Sequence, residues 1–224
     1  MTGAGKSAVG NTLLGMDTFH SYPAEECVTL NCETSEAVLE SGRKIKVADT
    51  PAFYADSNML EVLNFFEFLA PGPHAILIII RPCRISKRDV IILDEMQKIF
   101  RDDQLFYRFA ILVFVRKNDI IGEYGCCVNI HEYIKDYTNK DILNLYEKCG
   151  QRAIAVANRQ SWKGRNVEAI EIMKEIDKLD RVYFHEFFQK TVQVEELKKE
   201  LKNELTKNMK KKKWFSFLNF HEIN

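Results

Sequence analysis

Met1-Thr2-Gly3-Ala4-Gly5-Lys6-Ser7, running on through Ala8–Leu14 to Gly15, is the stretch that decides the fold. From its second position onward it matches the phosphate-loop pattern of Gly, four residues and Gly-Lys-Ser/Thr. Glycines let the backbone curl so that successive N–H groups face phosphate oxygens. The Lys6 ammonium would neutralise the β- and γ-phosphates, and the Ser7 hydroxyl would hold Mg2+. Lys6–Leu14 reads as a helix stopped by Gly15, and its N-terminal dipole would serve the same anion. The first glycine of the pattern, and the strand that feeds such a loop, belong before Met1. The chain is therefore expected to be a fragment or to carry a misplaced start, with a natural short form as the alternative.

Outward from the loop, helices alternate with short β-rich runs. Val28–Leu39 and Lys44–Asp49 read as two strands joined at Ser41-Gly42, and Asn58–Leu69 reads as a helix. Ala75–Ile80 and Phe109–Val115 are continuous apolar runs rich in β-branched residues, as expected of strands buried on both faces of a parallel sheet. Ser86 and Asp89 form a capping pair before a helix reaching Phe100. A helical region near Asn129–Cys149 and a strand at Ala153–Val156 follow. The alternation predicts an α/β, doubly wound, mostly parallel sheet that lacks its first strand, with helices on both faces.

The 224 residues carry 32 Lys+Arg against 32 Asp+Glu, and this neutrality argues against nucleic acid as a partner. The two longest apolar runs fall far short of the roughly 20 residues of a membrane-spanning helix. The cysteines, at 27, 32, 83, 126, 127 and 149, form no CxxC pair and are expected to be reduced thiols in a cytoplasmic setting. Zero charge is nevertheless a sum of unlike parts. Residues 205–224 hold five lysines against one glutamate, leaving −4 on residues 1–204.

Val47-Ala48-Asp49-Thr50-Pro51-Ala52 closes a strand with an acid. In P-loop GTPases an Asp in this place reaches Mg2+ through water, and a glycine three residues later offers its N–H to the γ-phosphate. Here Ala52 stands at that glycine position. Val115-Arg116-Lys117-Asn118-Asp119 ends the strongest apolar strand with Lys-x-Asp, 70 residues after Asp49. A carboxylate there accepts hydrogen bonds from guanine N1–H and its 2-amino group, and the Lys117 stem packs along the base plane. Adenine presents a different edge. Asn158-Arg159, just past the Ala153–Val156 strand, is placed to complete the base pocket.

Together these segments resemble the immunity-associated GTPases, the IMAP family. The resemblance is carried by Thr2–Gly15, Asp49-Thr50-Pro51, Pro71-Gly72-Pro73-His74-Ala75, Arg116–Asp119 and Asn158-Arg159, in that order, and covers residues 1–176. It implies a septin-like GTPase domain that binds GTP or GDP with Mg2+ and pairs across its nucleotide faces, as homodimer or heterodimer. By position, Gly3, Ala4, Gly5, Lys6, Ser7, Ala8 and Thr29 would contact the nucleotide phosphates, with Ser7, Thr29 and Asp49 around the metal. Lys117, Asp119 and Asn158 would hold guanine. Arg84 lies where the family has an arginine able to reach a partner's phosphates; a plain surface arginine is the alternative. Ala52, followed by Phe53 rather than Gln, implies slow hydrolysis unless a second subunit supplies groups. The alternative function is a degenerate, non-hydrolysing scaffold that keeps the fold.

From Asn166 onward Ile172, Ile176, Leu179, Tyr183 and Phe187 recur three or four apart, and Leu197, Leu201 and Leu205 extend the stripe. Residues 177–209 thus read as a helical extension, interrupted near Asp177–Arg181, that either packs on the domain or offers a coiled-coil surface. Lys210–Lys213 directly precede Trp214, Phe215, Phe217, Leu218 and Phe220. Such a tail either holds the protein weakly on an intracellular membrane surface or stays solvated or docked.

Overall fold

The computed structural model describes residues 4–21, 32–50, 72–82, 105–121, 128–157 and 162–179. The helices expected over Asn58–Leu69 and up to Phe100, and the whole chain from residue 180, lie outside them.

The first described element is α1, Lys6–Leu14. Its end follows from Gly15, which takes φ 66°. There the Gly15 N–H donates to Thr12 O and the Met16 N–H to Asn11 O, both at 3.3 Å, which satisfies carbonyls that the helix leaves open. Strands β1 (Glu33–Val38) and β2 (Lys44–Asp49) form an antiparallel hairpin in which Glu33 faces Asp49 and Val38 faces Lys44. Gly42 turns it at φ 79°, and its N–H donates to Leu39 O at 2.8 Å.

A three-stranded parallel sheet follows, in the order β3 (Ile76–Ile80), β4 (Ala110–Val115) and β5 (Ala153–Val156). Every residue of β4 is buried. Its side chains divide by the two-residue period of a strand. Leu112 and Phe114 enter one core with Tyr133, Ile134, Ile142, Leu145 and Tyr146, from α3 (Ile130–Tyr137) and α4 (Lys140–Lys148). Phe106 and Tyr107 of the short α2, Leu105–Arg108, join that core. Val113 and Val115 enter the other, with Val9 and Leu13 of α1 and Ile172 of α5, Trp162–Asp177. Helices therefore cover both faces of the sheet, which is the doubly wound arrangement expected from the unbroken apolar runs.

Differences from the sequence reading have local causes. Among the described residues the hairpin and the parallel sheet are two sheets, order β1-β2 and β3-β4-β5, not one. What joins them is α1: Ile45 and Val47 of the hairpin pack on the cluster that holds Val9, Leu13 and Val113. The helical region expected near Asn129–Cys149 is built from two helices. Asn129 caps the first through a bond from His131 N–H at 2.8 Å, and Asn139 restarts the second through Ile142 N–H at 2.9 Å. The last helix begins at Trp162, ahead of Asn166. Of the strand expected over Val28–Leu39, β1 occupies Glu33–Val38, and residues 28–31 lie outside the described residues.

Gly10 shows why α1 can sit so close to its neighbours. A Cβ there would come within 2.9 Å of the Phe19 ring, itself buried with Leu14 and Ala37. Asn11, 1% exposed, fixes that ring's backbone: its Oδ1 accepts from Thr18 and Phe19 N–H at 3.0 and 2.8 Å, and its Nδ2 donates to Phe19 O at 2.8 Å.

Among the described residues Cys32 and Cys149 are free thiols. Burial pushes the Cys149 thiol from an ordinary 9.0 up to about 12, against the opposite pull of Arg152 and Lys148. The folded chain keeps a proton that the unfolded chain releases above pH 9, so this contribution to stability is present below pH 9 and is lost between pH 9 and 12. The slope is at most about 1.4 kcal/mol per pH unit. Urea unfolding of Cys149→Ala between pH 8 and 10.5 should therefore show a flatter decline than the parent chain; parallel declines would contradict this assignment.

Candidate functional site

Gly5 stands at φ 97° and ψ 23°, a left-handed conformation that favours glycine, and caps the N-terminus of α1. Its carbonyl accepts the Val9 N–H at 3.0 Å and starts the helix. Ala4, 3% exposed, is anchored in the core cluster that also contains Val115 and Val156, the last residues of β4 and β5. The loop is thus fixed from below by a small buried side chain, while Gly5, Lys6, Ser7 and Ala8 are half-buried above it.

From α1 the Ser7 hydroxyl donates to Asp49 Oδ2 at 2.6 Å. Asp49 is the last residue of β2 and is 4% exposed. Two residues selected in the sequence for the same metal, 42 positions apart, are therefore in direct contact. A hydroxyl and a carboxylate are hard oxygen donors of the kind Mg2+ takes, and Mg2+ normally completes its octahedron with water and substrate phosphates rather than with a protein cage. No group of three or more His, Cys, Asp or Glu side chains converges among the described residues.

The second part of the site lies past the C-terminal end of β4. Arg116 adopts φ 59° and ψ 55°, turning the chain out of the strand into a single 3-10 turn, Lys117–Asp119. Asp119 N–H donates to Arg116 O at 2.7 Å, and Ile120, 2% exposed, pins the turn to the core. Lys117 and Asp119 remain exposed, with Arg116 Nη1 3.6 Å from Asp119 Oδ2. Because β3, β4 and β5 are parallel, this turn and the chain leaving β5 emerge at the same edge of the sheet. Ligands of open α/β sheets bind at that edge.

Gly3, Thr29, Arg84 and Asn158 lie outside the described residues. The structure adds a residue that sequence reading passed over. Glu168 on α5 is 4% exposed, and its Oε1 accepts the Ala157 N–H at 2.6 Å, directly after β5. In the sequence it is one of many helical glutamates, and only its position on the buried side of α5 distinguishes it.

Comparison with known proteins agrees with this geometry. The AIG1 family profile matches residues 1–211. Immune-associated nucleotide-binding protein 4 of Arabidopsis thaliana is 28% identical over 176 residues, covering 76% of this chain and 52% of its own length. GTPase IMAP family member 8 of Mus musculus is 24% identical over 190 residues, covering 81% of this chain and 26% of its own. This chain thus spans about half of the first relative and about a quarter of the second. Among solved structures, Toc33 from Arabidopsis thaliana in complex with GDP and Mg2+ superposes with a TM-score of 0.55 at 16% identity, over 82% of this chain and 84% of that one. That likeness shows a shared α/β fold. With the family profile spanning all but its last thirteen residues, the chain belongs to the AIG1 family.

Proposed function

We propose that this chain is a Mg2+-dependent guanine-nucleotide-binding switch and assembly domain. The observation that carries this is the Ser7 Oγ to Asp49 Oδ2 contact of 2.6 Å beside a left-handed Gly5 at a helix N-terminus. Backbone N–H groups of residues 3–8 would hold the phosphates, Lys6 would neutralise them, and Ser7, Thr29 and Asp49 would hold the metal, directly or through water. When bound, Mg2+ would supply charge neutralisation to the nucleotide phosphates. Asp119 selects guanine, with Lys117 along the base plane and Asn158 closing the pocket. Supporting names come from the relatives: nucleotide binding for the plant protein and GTPase for the mouse one.

Hydrolysis is slow in the monomer, because Ala52 and Phe53 offer no side chain to orient water. A second copy or another family member stimulates it, with Arg84 reaching across to the partner's phosphates. For two relatives of the fold, atToc33 and psToc159, dimerization is described as important for GTPase activity. Lys210–Lys213 with the following aromatics hold the protein weakly on an intracellular membrane surface from the cytoplasmic side.

Binding of fluorescent GDP to the full chain in Mg2+ tests the core of this function. A charged hydrogen bond contributes about 1.5–3 kcal/mol, so Lys6→Ala should weaken Kd by about tenfold or more. Asp119→Asn should shift preference from guanine to xanthine nucleotide, whose 2-oxo group accepts from the new amide. A chain that binds no nucleotide is the degenerate scaffold instead.

For assembly, Arg84→Ala is expected to lower concentration-dependent GTP turnover while leaving GTP affinity within about twofold; unchanged turnover would remove Arg84 from that role. For the tail, sedimentation with phosphatidylserine vesicles should fall on deletion of residues 210–224. Identical partitioning with and without the tail would discard the membrane contact.

A further inference from the structure

Glu168 is an acid with little access to water, and burying a carboxylate is expensive unless donors replace its hydration. One donor is the Ala157 N–H, at 2.6 Å. Ala157 is the first residue after β5, 7% exposed, and it precedes Asn158 directly. The bond therefore ties a helix side chain to the peptide that starts the loop beyond β5.

The helix carrying Glu168 is held on either side of it. Three residues earlier, Arg165 Nη1 meets Asp17 Oδ1 at 2.7 Å, joining α5 to the segment after α1. One turn later Ile172, fully buried, packs in the cluster that contains Ala4, Val9, Val115 and Val156. The phosphate-loop helix and the exits of β4 and β5 are thus referenced to the same face of α5. A backbone hydrogen bond made to a buried carboxylate is stronger than one made to water, and it fixes direction as well as distance.

We infer that Glu168 is a positioning residue for base recognition: its carboxylate sets the course of the chain leaving β5, and through it the discrimination of guanine from adenine. This rests on the base-pocket role given to Asp119 and Asn158. Glu168 touches no nucleotide atom in this scheme; it acts through the Ala157 peptide. Loss of the bond releases the Ala157 peptide, so base selectivity falls while phosphate and metal contacts on α1 persist.

The test uses the full chain with fluorescent GDP and ADP in Mg2+, reading the ratio of the two Kd values and the thermal midpoint. Glu168→Leu removes the acceptor at similar size and should lower the GDP-over-ADP ratio by about tenfold or more, mainly by weakening GDP. Glu168→Gln keeps an oxygen acceptor for the Ala157 N–H and should hold the ratio within about threefold of the parent. Equal weakening of GDP and ADP in Glu168→Leu, or a Gln variant as unselective as the Leu variant, would overturn the assignment. Should Glu168→Leu melt below the assay temperature, Glu168→Asp, which withdraws the acceptor by one methylene, is read against the same ratio. Asp119→Ala separates the layers. If it collapses the ratio while Glu168→Leu does not, the positioning role fails alone; if it leaves the ratio unchanged, the base-pocket function fails and this role with it.

Discussion

One nine-residue helix holds the described structure together. Lys6–Leu14 presents Val9 and Leu13 to the parallel sheet and to Ile172, and the same cluster takes Ile45 and Val47 from the hairpin. The hairpin and the parallel sheet share no ladder among the described residues, so their relative placement follows from what packs on this helix. Gly10 permits the approach, since a methyl there would strike the Phe19 ring. Asn11 then fixes the Thr18-Phe19 backbone through three hydrogen bonds to its buried amide. Fixing α1 against β2 is also what brings Ser7 to Asp49, so packing and chemistry depend on one interface.

The site built on that interface is sparse by design of its chemistry. A hydroxyl and a carboxylate oxygen meet there, and a hard cation would draw on phosphate and water to complete its shell. Metal affinity should accordingly be conferred by the nucleotide and not precede it. The base side is organised differently. Lys117 and Asp119 are exposed on a turn whose geometry comes from the left-handed Arg116 and the buried Ile120. Two exposed polar side chains are thereby set on a rigid support, as a preorganised site requires.

Much of this was legible in the amino-acid order, for physical reasons. Lys6–Leu14 stops where Gly15 supplies a left-handed residue, and Lys44–Asp49 and Ala153–Val156 have the ends expected of them. The strands β3 and β4 differ from expectation only by one residue at their starts, because continuous apolar runs leave little choice of register. Ser7 and Asp49 could be paired on paper because each belongs to a motif tied to one metal. Other features depend on tertiary placement. The break between α3 and α4 rests on Asn139, a capping residue hidden in a helical composition. The start of the last helix runs through Gly164, a weak helix former that packing overrides. Glu168 and Asn11 are polar residues in helices, and nothing in a one-dimensional pattern marks them as buried.

The central claim is that Ser7 and Asp49 form a metal site that guanine nucleotide completes. Electron spin resonance of Mn2+ in place of Mg2+ tests it most directly, because free aqueous Mn2+ gives a signal that binding broadens away. Against matched controls holding the nucleotide without protein, the signal should fall further when the full chain and GDP are both present, and should show no such further loss with the chain alone, with the chain and ADP, or with Asp49→Ala and GDP. Equal further loss without nucleotide, or with ADP, would contradict the account.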